Sequence, residues 1–153
     1  MLIDHSRKDD WNAFVAASEY PTVMQSWEWG QLKAATGWEP MVVALPDGES
    51  FRAGALVLKR PIPRLGRCLL YAPRGPVLDF ADREAFEELM VELRSLAREH
   101  RAVAIKIDPC VPDDRREGAD MFRAVGMRFS GSDEAELGGT VVGLTEVAEN
   151  SGG

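Results

Sequence analysis

Between Asp82 and His100, apolar side chains recur at Phe86, Leu89, Met90, Leu93, Leu96 and Ala97. This is the i, i+3, i+4, i+7, i+10, i+11 spacing of a single buried stripe on one helix. Acids crowd the start (Asp82, Glu84, Glu87, Glu88) and bases the end (Arg94, Arg98, His100, Arg101), the arrangement that the helix dipole favours. The segment Val103–Asp108 then reads as a strand stopped by Pro109. A long helix with one apolar face, followed by a strand, needs a sheet to lie against.

The rest of the chain supplies that sheet. Phe14 and Val15 follow Trp11 at helical spacing, so a first helix is expected from an Asp9 or Asp10 cap to Tyr20-Pro21, with Ser18 on the same face. A second helix is expected from a Ser26 cap to about Thr36, with Gly37 as its stop. Trp38–Leu45 and Phe51–Lys59 read as strands joined by the turn residues 46–50, and Gly66–Ala72 as a third. Beyond Pro109 a shorter helix from about Asp113 to Val125 and a strand at Met127–Phe129 complete the pattern. Hairpin strands followed by a strand–helix–strand crossover predict an α/β (α+β) domain with a mixed, mostly antiparallel sheet flanked by helices. That element order is similar to the GNAT acyltransferase fold. The domain is expected to span residues 1–130, followed by an acidic, glycine-rich tail at 131–153 with one candidate strand at 140–145.

The 153 residues suffice for one domain with a real core. No apolar run reaches the ~18–20 residues that span a bilayer, and the N-terminus carries no secretory signal pattern. Cys68 and Cys110 lack metal-ligand spacing and read as small buried fillers in a reducing compartment. A cytoplasmic location, extending to the inner face of the membrane, is expected. The net charge of −7 conceals an asymmetry. Arg52, Lys59, Arg60, Arg64, Arg67 and Arg74 fall in residues 51–78 without one acid. Such a patch suits a local anion site, or simply solubilises a hairpin, but it is no long nucleic-acid groove.

Two segments carry candidate chemistry. In Gln25-Ser26-Trp27-Glu28-Trp29-Gly30-Gln31-Leu32-Lys33, Trp29 and Lys33 are i, i+4 neighbours. The lysine either snorkels over a core-edge tryptophan or is a cation held on an aromatic platform for a phosphate. In Tyr71-Ala72-Pro73-Arg74-Gly75-Pro76-Val77-Leu78-Asp79-Phe80, prolines stiffen a loop that presents Arg74. A guanidinium on a rigid support suits a carboxylate or phosphate, or it pairs with Asp79 to pin the loop. His5 and His100 fall at element ends and read as solvent-facing, Asp79 and Asp108 are weak general-base candidates, and no catalytic residue or metal site is assigned.

Taken together, Gln25-Ser26-x-x-Trp29-x-x-x-Lys33, Gly37-Trp38-Glu39-Pro40, the Tyr71–Asp79 loop and Ile105-x-Ile107-Asp108-Pro109 resemble the FemABX family over residues 10–130. The resemblance implies transfer of amino acids from aminoacyl-tRNA to the stem peptide of peptidoglycan precursors. It implies a precursor-binding cleft on the first of two GNAT-like domains, with a lysine at the position of Lys33 near the precursor's phosphates. Trp29, Arg74, Asp79 and Phe80 are carried over as substrate-binding residues, Phe80 standing where tyrosine is frequent. The precursor is a UDP-muramyl pentapeptide or its lipid-linked form, and no cofactor is implied beyond the aminoacyl-tRNA co-substrate. The second domain is absent from this sequence, so independent catalysis is left open, and self-association or a separate second GNAT-like domain is expected.

Two other readings stay open. One is a free-standing acyl-CoA N-acyltransferase, disfavoured because Pro76 removes a backbone donor from the turn that would bind acetyl-CoA pyrophosphate and Asp79 adds a negative charge there. The other is a non-catalytic module that dimerises through a sheet edge or an apolar face.

Overall fold

The computed structural model describes residues 1–109, 116–124, 128–130 and 140–144. The elements in chain order are β1 (Leu2–Ile3), α1 (Lys8–Ala16), α2 (Trp27–Ala34), β2 (Glu39–Asp47), β3 (Ser50–Ile62), β4 (Arg67–Ala72), β5 (Val77–Leu78), α3 (Arg83–Glu99), β6 (Ala102–Ile107), α4 (Arg116–Ala124), β7 (Arg128–Ser130) and β8 (Thr140–Leu144). The sheet order is β1-β2-β3-β4-β6-β8-β7, with β5 paired to β3 off that path. Only β4 and β6 run parallel among the described strands, joined by the α3 crossover. The mixed, mostly antiparallel sheet is therefore as the sequence predicts.

Each face of the sheet has its own core. On one side α3 lays Phe86, Leu89, Leu93 and Ala97 against Val57, Leu70, Ile105 and Ile107, all buried. On the other, Trp11 and Val15 of α1 pack on Val42, Ala44, Leu56 and Leu58. The alternation of β3 explains the split, since Val57 faces α3 while Leu56 and Leu58 face the first two helices. Cys68 is buried against the α3 core and donates to the His100 carbonyl at 3.3 Å. Burial pushes its thiol up, so it behaves as an inert filler.

Several boundaries differ from expectation. Helix α1 has no side-chain cap, because Asp9 and Asp10 lie inside its first turn. Asp4 instead caps a preceding 3₁₀ turn, His5–Arg7, by accepting from the Ser6 amide at 2.8 Å. The helix also stops at Ala16, four residues before Tyr20. Strand β3 runs on to Ile62, and its turn with β2 tightens so that Asp47 pairs with Ser50. The candidate strand at 140–145 is present as Thr140–Leu144. It inserts as β8 between β6 and β7, so the sheet extends past residue 130. The expected helix start at Asp113 and the second cysteine, Cys110, lie outside the described residues.

The start of α3 matches its sequence signal. The Asp82 side chain accepts from the Ala85 amide at 3.1 Å and takes a two-pronged contact from Arg52, Nε to Oδ2 at 2.7 Å and Nη2 to Oδ1 at 2.8 Å. Arg52, followed by the Ala85 amide, holds the Asp82 carboxyl below its usual 3.8. A carboxyl with a lowered folded pKa contributes stability above 3.8 that is lost as pH falls through the folded value. Acid titration of Asp82→Asn followed by thermal melting is therefore expected to show a lower Tm at neutral pH and a shallower loss of Tm below about pH 4 than the parent chain. Parallel acid limbs would remove this contribution.

Candidate functional site

The centre of the site is a gap in the sheet. Along its edge away from β2, β3 pairs first with β5 at Ala53 and Gly54, then with β4 from Leu58 to Ile62. Leu56 lies between these ladders, where its peptide groups need partners. The side chain of Gln25 fills the gap. Leu56 N–H donates to its Oε1 at 2.7 Å, while its Nε2 donates to the Leu56 carbonyl at 3.3 Å and the Pro73 carbonyl at 2.7 Å. A primary amide thus stands in for a strand's peptide group. Gln25 is completely buried, and its own carbonyl accepts from Trp11 Nε1 at 2.7 Å.

Gly75 makes this possible. A Cβ there would lie 2.9 Å from Gln25 Nε2 and 3.1 Å from its Cδ, too close for any side chain. The next residue, Ser26, caps α2 by accepting from the Trp29 amide at 3.2 Å. The helix that carries Trp29 and Lys33 and the loop that carries Arg74 are therefore bolted to one side chain. This role was not drawn from the sequence, because Gln25 meets partners 31 and 48 residues away. Its position directly before a capping serine was the available signal.

The loop after β4 opens with a tight turn. Gly75-Pro76 is a cis peptide, and Arg74 adopts φ 56°, a backbone region that side chains seldom occupy. The Gly75 amide donates back to the Ala72 carbonyl at 3.2 Å. Arg74 is exposed. The Arg74–Asp79 pair, one of the two roles the sequence allowed, is absent among the described residues. Asp79 instead accepts from the Ala81 amide at 2.9 Å, a local turn.

The predicted site residues fall into two groups. Trp29 and Lys33 sit together on α2, the ammonium 5.1 Å from the indole centroid. Arg74 and Phe80 line one shallow cleft with Ser18, Tyr20, Pro76, Val77 and Leu78. Neither Lys33 nor Trp29 lines that cleft. Asp79 lines an adjoining cavity of about 350 Å³ with Phe14, Glu19 and Arg52, the two sharing Ser18 and Leu78. Phe80 also rests edge-on against Phe122 at 6.1 Å.

Asp108, at the end of β6, accepts from the Tyr71 hydroxyl through Oδ2 at 3.3 Å. Burial, and then the Asp108 charge, push the Tyr71 hydroxyl up, keeping it a neutral donor. The second oxygen, Oδ1, is buried without a hydrogen-bond partner among the described residues. His100 is not solvent-facing as expected. It is half-buried, with Nδ1 3.2 Å from Lys59 Nζ.

The sequence model of the FemAB family matches residues 7–122. The chain belongs to the FemAB family. Lipid II:glycine glycyltransferases are among its relatives. That of Staphylococcus haemolyticus (strain JCSC1435) is 38% identical over 127 residues, covering 80% of this chain and 30% of the relative. That of Staphylococcus aureus (strain MRSA252) is 30% identical over 131 residues, covering 85% and 31%. This FemAB-family chain thus spans about a third of the length of those relatives. The crystal structure of FemX superposes with a TM-score of 0.77 at 27% identity, over 87% of this chain and 33% of that one. A probable acetyltransferase from Staphylococcus epidermidis ATCC 12228 matches at 0.61 with 11% identity, over 95% and 97%, which establishes the GNAT-like fold alone. No helix among the described residues is long and apolar enough to cross a membrane.

Proposed function

We propose that this domain binds the phosphorylated, peptide-bearing precursor of peptidoglycan for an aminoacyl transfer completed with a second GNAT-like domain. Family membership supplies the substrate class, and one observation supports the site. The Lys33 ammonium rests on Trp29 with no carboxylate within ion-pair distance among the described residues, on a helix bolted through Gln25 to the Arg74 loop. In this reading Lys33 meets the precursor's phosphates. Arg74, Asp79 and Phe80 border the adjoining clefts, where the peptide lies. The acyl donor is aminoacyl-tRNA, not acetyl-CoA, since Pro76 offers no N–H in the turn and Asp79 adds negative charge beside it. The reaction then belongs to the cytoplasm, at the membrane's inner face when the precursor is lipid-linked.

Calorimetry with UDP-muramyl pentapeptide at low salt tests this. Hydrogen bonds to charged groups contribute about 1.5–3 kcal/mol, so Lys33→Ala is expected to weaken binding about tenfold or more. Affinity unchanged in Lys33→Ala removes the lysine from the site. Micromolar binding of acetyl-CoA with no binding of the precursor overturns the reading as a whole.

A further inference from the structure

Beyond α2 the same sheet face continues across β4 and β6. Leu58 pairs with Tyr71, Tyr71 with Lys106, and Arg60 with Leu69, so all five share the face on which Leu58 is buried. Tyr71, Leu69, Ala104 and Lys106 are only half-buried there. Trp38 joins them from the residue before β2, its ring 6.4 Å from that of Tyr71. The Trp38 amide also donates to the Lys33 carbonyl at 3.2 Å, linking the row to the end of α2.

Every ring in this row carries a cation. Arg60 lies 4.9 Å from the Trp38 ring centroid and Lys106 5.8 Å from that of Tyr71. Among the described residues, no carboxylate lies within ion-pair distance of Arg60, Lys106 or Lys33. The remaining cation–ring contact, Arg7 on Phe51, is different, because Asp10 neutralises Arg7 at 3.1 Å. Arg60 and Lys106 thus stand without a carboxylate partner on two neighbouring rings, in a chain of net charge −7. They retain free N–H groups for an anion, and the flat rings beside them suit the face of a sugar. Asp108 touches the row through the Tyr71 hydroxyl, which repels phosphate from the β6 end and leaves Arg60 as its better seat.

We propose that Trp38, Arg60, Tyr71 and Lys106 form a subsite, tied to the end of α2 by the Trp38–Lys33 backbone hydrogen bond, for the sugar-phosphate part of a phosphorylated sugar ligand. Arg60 binds phosphate oxygens through its fork of N–H groups, and Trp38 and Tyr71 flank the sugar. This rests on the precursor-binding reading, from which it takes the ligand. A nucleotide-linked and a lipid-linked precursor share this chemistry.

The test is NMR of the 153-residue chain with labelled tryptophan, following the Trp29 and Trp38 indole N–H signals assigned by Trp29→Phe and Trp38→Phe. UDP-muramyl pentapeptide, a short-chain polyprenyl-pyrophosphoryl muramyl pentapeptide and a single-stranded oligoribonucleotide are titrated in turn. The expected result is saturable movement of both indole signals with at least one sugar pyrophosphate, and affinity about fivefold weaker in Arg60→Gln. Tighter binding of the polyprenyl form identifies the lipid-linked source, and tighter binding of the UDP form the nucleotide-linked one. Movement of Trp29 alone, with Arg60→Gln unchanged, overturns the subsite and leaves the precursor-binding reading intact. No movement with either sugar pyrophosphate overturns both. Trp38 responding more tightly to the oligoribonucleotide makes the row an RNA surface and overturns the proposed ligand.

Discussion

Replacing Gln25 with alanine is expected to lower unfolding stability by about 2–6 kcal/mol, since Leu56 N–H and the Pro73 carbonyl lose their partner in a buried gap at about 1–3 kcal/mol each. The gap is buried and the side chain fully enclosed, so water does not readily replace the amide unless it enters the cavity left behind. Urea denaturation reads the loss. Gln25→Glu separates hydrogen bonding from volume. It keeps the size but turns the donor aimed at the Pro73 carbonyl, now at 2.7 Å, into an acceptor. Glu is therefore expected to be no better tolerated than Ala. If Gln25→Ala falls within about 0.5 kcal/mol of the parent, the range of a surface substitution, the amide is not bridging the sheet. The loss should also reach function. Arg74 follows the anchored Pro73, so precursor binding should weaken in a variant that remains folded under the assay conditions.

What the sequence revealed about this fold depended on how local the determining interaction was. The α3 stripe and its start near Asp82 were legible because the helix repeats its pattern through six apolar positions and acids crowd its first turns. Ser26 was legible as a local cap, and so was the Lys33–Trp29 contact, which i, i+4 geometry brings about by itself. Strands β1 and β5 are two residues each and carry no periodicity, so only their partners on β2 and β3 define them. The start of α1 was misplaced because Asp9 and Asp10 resemble caps, while the actual turn is set by Asp4 upstream. Of the two roles the sequence allowed Arg74, the pair with Asp79 does not form, and Asp79 instead accepts from the Ala81 amide two residues away. The Gln25 bridge and the ring row across Trp38, Tyr71 and Arg60 depend on strand register, which no single segment encodes.

Gly54→Ala is expected to destabilise the domain by about 1–3 kcal/mol or more, the usual range for an overpacked core. The position looks like an unremarkable glycine inside a strand, but a Cβ built there would sit 2.6 Å from the Trp11 ring, 2.9 Å from the Ala44 Cβ and 2.9 Å from the Val43 carbonyl oxygen. The last two contacts leave little room to adjust, because Ala44 and Val43 belong to the neighbouring strand β2. The tryptophan is no freer. It is completely buried and tied through Nε1 to the Gln25 carbonyl at 2.7 Å. A shift of the indole to admit a methyl group therefore strains the same residue that bridges Leu56 and Pro73, and the effects should couple. In a double-mutant cycle, Trp11→Leu is expected to recover part of the Gly54→Ala loss, because the smaller side chain vacates the ring position that the methyl group meets. Fully additive losses would place the conflict on the β2 backbone, and a Gly54→Ala variant as stable as the parent would show that strand β3 can move away from the helix without cost.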